Sequence, residues 1–174
     1  MRSLTLVASI ITAGAIVCSA GAASPNAGEL SVERGKGVVV LEIRGSVLGR
    51  LTAGTLRVID TTPRDPYAAL VTGRRVTFER LGPRVILYRG LGLRFRMVGG
   101  GYRIVARGTG ISISAVGRGF VTLDGERKLP TDDAGVYSLE GADCGLEPEL
   151  CTPLPDELER FVLEPFPEEG DVRR

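Results

Sequence analysis

The chain contains no histidine. That removes the commonest general base, the commonest metal ligand and the usual pH switch together. Triads built on histidine are excluded with it. The two lysines, Lys36 and Lys128, stand beside no nucleophilic serine motif. Carboxylates could still do glycosidase-like work as a pair, for instance Glu42 and Asp60 on neighbouring expected strands. The simpler reading makes each a solvent-facing strand residue. Asp132-Asp133 lacks the spaced oxygen ligands of a calcium loop. Gly90-Leu91-Gly92, Gly108-Thr109-Gly110 and Gly117-Arg118-Gly119 open no helix after a strand, so they read as turns and not as phosphate cradles. The expectation is a non-enzyme with no cofactor and no metal.

Three cysteines are present, Cys18, Cys144 and Cys151. Residues 1–23 read as a secretion signal. Arg2 precedes an apolar run from Leu4 to Val17, and Ala20-Gly21-Ala22 supplies a small-x-small cleavage pattern. Cleavage is expected after Ala22 or Ala23, leaving no transmembrane helix. The alternative is an uncleaved anchor, since the run approaches a spanning length of roughly 20 residues. Val17 stands where a lipidation box wants a small residue, so Cys18 is not read as a lipid site. In an oxidising compartment the remaining pair, Cys144 and Cys151, is expected to form a disulfide that pins a loose segment. There is no Cys-x-x-Cys motif, and two thiols without histidine make a poor zinc site.

The net charge of +1 conceals an asymmetry. From Glu29 to Lys128 there are 18 basic and 8 acidic residues; from Leu129 to Arg174 there are 3 and 13. Basic residues Arg94, Arg96, Arg103 and Arg107 are the candidate binding set. They invite three readings: a solvated face, a face clasped by the acidic tail of the same chain, or a site for an external anion. Outside the cytoplasm that anion is an acidic wall polymer or a lipid headgroup. Nucleic acid is not expected, because aromatics interleaved for base stacking are lacking.

The elements that would position these arginines read as β throughout. Short runs of Val, Ile, Leu and Thr alternate with glycines, and no helical period is present. Strands are expected near 38–44, 46–51, 54–60, 75–80, 84–89, 93–98, 102–107, 111–116, 119–123 and 136–140. The fold class is all-β, an antiparallel sandwich or small barrel of about 8–10 short strands. A Gly99-Gly100 turn would pair Met97 with Tyr102, Phe95 with Ile104 and Leu93 with Ala106, placing Arg96 opposite Arg103. A Thr109-Gly110 turn would then set Ala106 against Ile113.

The expected division is a signal (1–23), a β domain (24–140) and an acidic disulfide-pinned segment (141–174). In the last part Asp156 to Glu159 resembles a capping box, which predicts a short C-terminal helix, with an irregular tail beyond it and the final residues disordered. Ile43 to Leu51 resembles the hydrophobic-x-Gly-x-Val-x-Gly alternation of bactofilin-type β-solenoids over nine residues. It does not recur with a solenoid period, and no family is assigned from it. The sequence thus reads as a non-catalytic structural or interaction module at the cell envelope. The alternatives are a carbohydrate-active enzyme or accessory domain using carboxylates, and a carrier of small apolar ligands.

Overall fold

From Gly28 the chain is rich in Val, Ile, Leu and Thr, with buried positions recurring every second residue over long stretches, and it runs as one continuous strand, β1 (Gly28–Asp60). The computed structural model describes residues 28–62, 69–127, 129 and 132–163. The expected signal, residues 63–68 and the residues after Leu163 lie outside these. After β1 come β2 (Leu70–Gly82), β3 (Val85–Met97), a second long strand β4 (Gly101–Gly125), β5 (Val136–Ser138), β6 (Thr152–Pro153) and β7 (Glu159–Leu163). The molecule is all-β and antiparallel. Among the described residues no helix is long and apolar enough to cross a membrane.

The two long strands pair twice. One edge of β4 takes residues 28–44 of β1, with Gly28 opposite Gly117 and Leu41 opposite Ile104. Its other edge takes residues 45–60, with Gly45 opposite the same Gly117 and Val58 opposite the same Ile104. In turn, residues 37–44 of β1 lie between residues 101–108 and 118–125 of β4. Across the sheet the order is therefore β2, β3, the second half of β1, the first half of β4, the first half of β1, the second half of β4, and β7.

Glycines stand where this double pass bends. Gly37 and Gly54 flank Gly108, and Gly28 and Gly45 flank Gly117. Gly54 holds φ +147, and a Cβ there would run into the Arg107 carbonyl oxygen and reach Gly108 Cα at 2.9 Å. Only glycine lets the backbones come this close.

Each strand also carries a slip. Pairing skips Gly110 on β4, Thr52 on β1, Gly92 on β3 and Gly73 on β2, while Arg34 of β1 sits at φ 56 beside the slip between Val32 and Gly35. These positions line up across the sheet as one crease of β-bulges. A bulge adds a residue, so it exchanges the faces of everything beyond it. On β4 the buried residues are Tyr102, Ile104 and Ala106 on one side of the crease, and Ile111, Ile113 and Ala115 on the other. The inner face of the whole sheet closes on one core, which also takes in Leu154 and Leu163. Each such leucine contributes about 1.5–3 kcal/mol of apolar burial.

Four expectations are corrected. The count of 8–10 short strands gives way to seven among the described residues, two of them very long, because glycines read as turns are bends and bulges inside strands. The hairpin across Gly99-Gly100 does not form. Residues 47–59 of β1 lie between β3 and β4, so Met97 pairs with Val47, Phe95 with Gly49 and Leu93 with Leu51. The glycine segment is stitched to the middle of β1 and to Thr62 just beyond its end. Gly45 N–H donates to the Gly100 carbonyl (3.0 Å), Gly99 N–H to Ser46 Oγ (3.3 Å) and Gly101 N–H to Thr62 Oγ1 (2.8 Å). All six residues of the expected hairpin are nevertheless buried, as their alternation required. No turn occurs at Thr109-Gly110, which is the bulge of β4. The C-terminal helix is absent: the described residues hold only a 3-10 turn at Pro148–Leu150. The chain forms β7 instead, because residues 119–123 of β4 present an unfilled edge of backbone donors and acceptors. Phe161 of β7 packs on Tyr137, ring centroids 5.4 Å apart.

Candidate functional site

A sheet bent along a line of bulges has a hollow on the bend, and this one is lined by arginine, hydroxyl and leucine side chains. Two ladders cross it. Ser31, Ser114, Leu48, Arg96 and Leu70 are successive cross-strand partners over five strand positions. One row nearer the crease, Ser112, Arg50, Arg94 and Thr72 are successive partners, and Glu33 lines the same end. The groove over these ladders has a volume of about 480 Å³. It runs across the crease into a second hollow of about 850 Å³, to which Arg34, Arg74 and Leu91 contribute. Arg34 and Arg75, non-glycine residues at φ 56 and 50, carry backbone strain beside it. Such strain costs on the order of 1–3 kcal/mol each and clusters at working sites.

The charges in the groove are unevenly satisfied. Arg50 donates to Glu33 Oε1 at 2.8 Å. Arg94 lies directly opposite Arg50 in the ladder. No acidic side chain among the described residues is within ion-pair distance of Arg94 or Arg96. Like charges opposed on neighbouring strands repel, which an anion between them would relieve. Leu48 and Leu70, flanking Arg96, are 52% and 60% exposed.

A loop forms one wall. Cys144 and Cys151 are joined in a disulfide, with Cα atoms 5.8 Å apart. The Cys144 N–H donates to Ser31 Oγ at 3.0 Å. Asp143, the preceding residue, reaches the groove lining.

The four arginines of the candidate set occupy three places. Arg94 and Arg96 open on the groove. Arg103 lies between Glu42 and Ile59, and its Nε approaches Glu42 Oε1 at 3.3 Å. Arg160 of β7 reaches the other oxygen of Glu42 at 3.6 Å and lies over the Phe120 ring. Arg107 lies between Val38 and Thr55 and lines a separate hollow with Asp124 and Asp156. The insertion of β1 between β3 and β4 is the reason that the set is divided. Of the ion pairs from the segment after Leu129, Asp133 approaches Arg34 at 4.0 Å, Asp156 meets Arg127 at 2.9 Å, and Arg160 meets Glu42.

The carboxylates considered for sugar chemistry are not side by side. Glu42 is held by two arginines, and Asp60 Oδ1 accepts the Thr62 N–H at 2.8 Å. They stand opposite adjacent residues of β4, exposed Arg103 and buried Tyr102, so their positions face opposite sides of the sheet. Among the described residues no group of three acidic or thiol side chains could hold a metal ion.

Sequence reasoning passed over Ser31, Leu48, Arg50, Leu70, Thr72, Ser112 and Ser114. The alternation of Val47 and Leu51 with Leu48 and Arg50 was a legible signal that the latter two face outward. What they face depended on which strand lay beside them. Comparison with protein-family models, with curated proteins and with solved structures finds no match.

Proposed function

We propose that the chain is a non-catalytic binding module that holds an anionic partner in the groove along the crease, and that it works outside the cytoplasm, at the cell envelope. The observation that carries this is the pair Arg94 and Arg96, exposed in a lined hollow with no acidic partner among the described residues, Arg94 directly opposite a third arginine. Arginine forks suit phosphate and carboxylate oxygens, the groups that acidic wall polymers and lipid headgroups share. Serine and threonine hydroxyls on β1, β2 and β4 offer further donors. The disulfide and the signal-like first 23 residues support the compartment. As architecture, we read the double pass of β1 and β4 as the wall of a small, incompletely closed barrel.

The test is retention on a phosphate matrix over a salt gradient. Arg94→Ala with Arg96→Ala lowers the eluting salt concentration well beyond Arg103→Ala with Arg107→Ala, which removes equal charge elsewhere. Equal shifts for the two pairs mean that net charge alone is read, and refute the groove.

A further inference from the structure

We infer that the groove takes a free, single-chain amphiphilic anion, its acid group at the crease and its alkyl chain over the leucines; this names the ligand class of the site proposed above and rests on that reading. Three observations lead there. First, cations and apolar surface interleave in register. Arg96 lies between Leu48 and Leu70 on neighbouring strands, and Arg94 lies between Arg50 and Thr72 one row away. A purely anionic polymer has no use for two leucines left more than half exposed in the hollow, whereas an alkyl chain recovers their apolar surface at about 25 cal/mol per Å².

Second, the dimensions suit one small ligand. A volume of about 480 Å³ is in the range of small-molecule pockets. On one side the hollow is bounded by the disulfide loop through Asp143. Third, the charges are graded. Glu33 neutralises Arg50 at 2.8 Å, while Arg94 and Arg96 have no such partner among the described residues. The acid group therefore sits between Arg94 and Arg96, with the hydroxyls of Thr72, Ser112 and Ser114 as secondary donors.

Calorimetric titration of the full chain with dodecyl phosphate, below the concentration at which it forms micelles, tests this against inorganic phosphate and uncharged decyl maltoside. Dodecyl phosphate should bind at least about tenfold tighter than inorganic phosphate, and decyl maltoside not measurably. Leu48→Ser with Leu70→Ser, both exposed substitutions, should abolish that tenfold gain. Equal affinity for the two phosphates overturns the amphiphile and leaves the anion site standing. Binding of neither overturns both. Sedimentation with phosphatidylglycerol vesicles, without binding of dodecyl phosphate, assigns the surface to a bilayer and also overturns the inference.

Discussion

Arg50 and Glu33 stand seventeen residues apart on one strand, yet their side chains meet at 2.8 Å. They meet because β4 runs between the two passes of β1, so that positions seventeen apart on β1 flank the same residue of β4. Arg50 is well exposed and Glu33 less so. Such a pair contributes about 0–1 kcal/mol after solvent screening. Glu33→Gln should therefore lower unfolding free energy by less than about 1 kcal/mol in urea titrations. It should also release Arg50 toward the groove and raise retention on a phosphate matrix. A fall in retention would show that Arg50 takes no part in binding.

The bends have a sharper signature. Gly108 at φ +147 has the Ala53 carbonyl oxygen in the place of a Cβ, and Gly54 Cα at 2.8 Å from it. Both obstacles are backbone, so Gly108→Ala must push the second pass of β1 off β4. A loss of more than about 3 kcal/mol, or failure to fold, is expected. Gly92 is the control. It has φ +56 but nothing within 4 Å of a Cβ, so Gly92→Ala should cost only about 1–2 kcal/mol, the left-handed backbone penalty alone. Similar urea midpoints for the two variants would contradict the close approach.

The disulfide closes a loop of eight residues, which chain-entropy arithmetic values at roughly 2.5 kcal/mol at most. Cys144→Ser with Cys151→Ser should cost up to that amount. It should also loosen the wall carrying Asp143 and speed amide exchange at residue 144, whose N–H is held by Ser31 Oγ. Unchanged exchange there would separate the bridge from the groove.

The alternation of side chains was legible in the sequence, and so was the all-β class. Leu93, Phe95, Met97, Tyr102, Ile104 and Ala106 all turned inward as their spacing required. Pairing was not legible, because period two fixes a face and leaves the neighbour open. Gly99-Gly100-Gly101 fits a tight turn as well as it fits a longer crossing, and only the competing claim of Val47 to Leu51 on the edge of β3 decided between them. The same ambiguity hid the site. Arg96, expected opposite Arg103, lies between Leu48 and Leu70, and it is Arg94 that faces an arginine, Arg50. Gly110 looked like a turn because a bulge, too, breaks the alternation, and the crease that shapes the groove is made of such breaks.

The acidic C-terminal segment can be separated from the core at one place. Cutting after Lys128 would remove Leu154 and Leu163 from the core and β7 from β4, so that truncation should unfold or greatly destabilise the protein. Cutting after Leu163 removes only residues 164–174, with four acidic and two basic side chains. If those carboxylates compete for the arginines, this shorter form should keep its urea midpoint and elute from a phosphate matrix at higher salt. Unchanged elution by a folded truncate would leave the tail no part in masking the groove.

Alkaline titration offers a last check on packing. Burial lifts the Tyr88 hydroxyl above 10.0, with Arg80 opposing, and lifts Tyr137 through burial first and then Glu159. A phenol raised in the fold favours the protonated form there. The stability it contributes is whole below pH 10 and is lost as pH rises through the folded value. The two should ionise later than a free tyrosine when followed at 295 nm. Because the Phe161 ring of β7 packs on the Tyr137 ring, Phe161→Ala should return Tyr137 toward the ordinary range and leave Tyr88 raised. A titration indifferent to that substitution would mean that β7 does not pack against β5 as described.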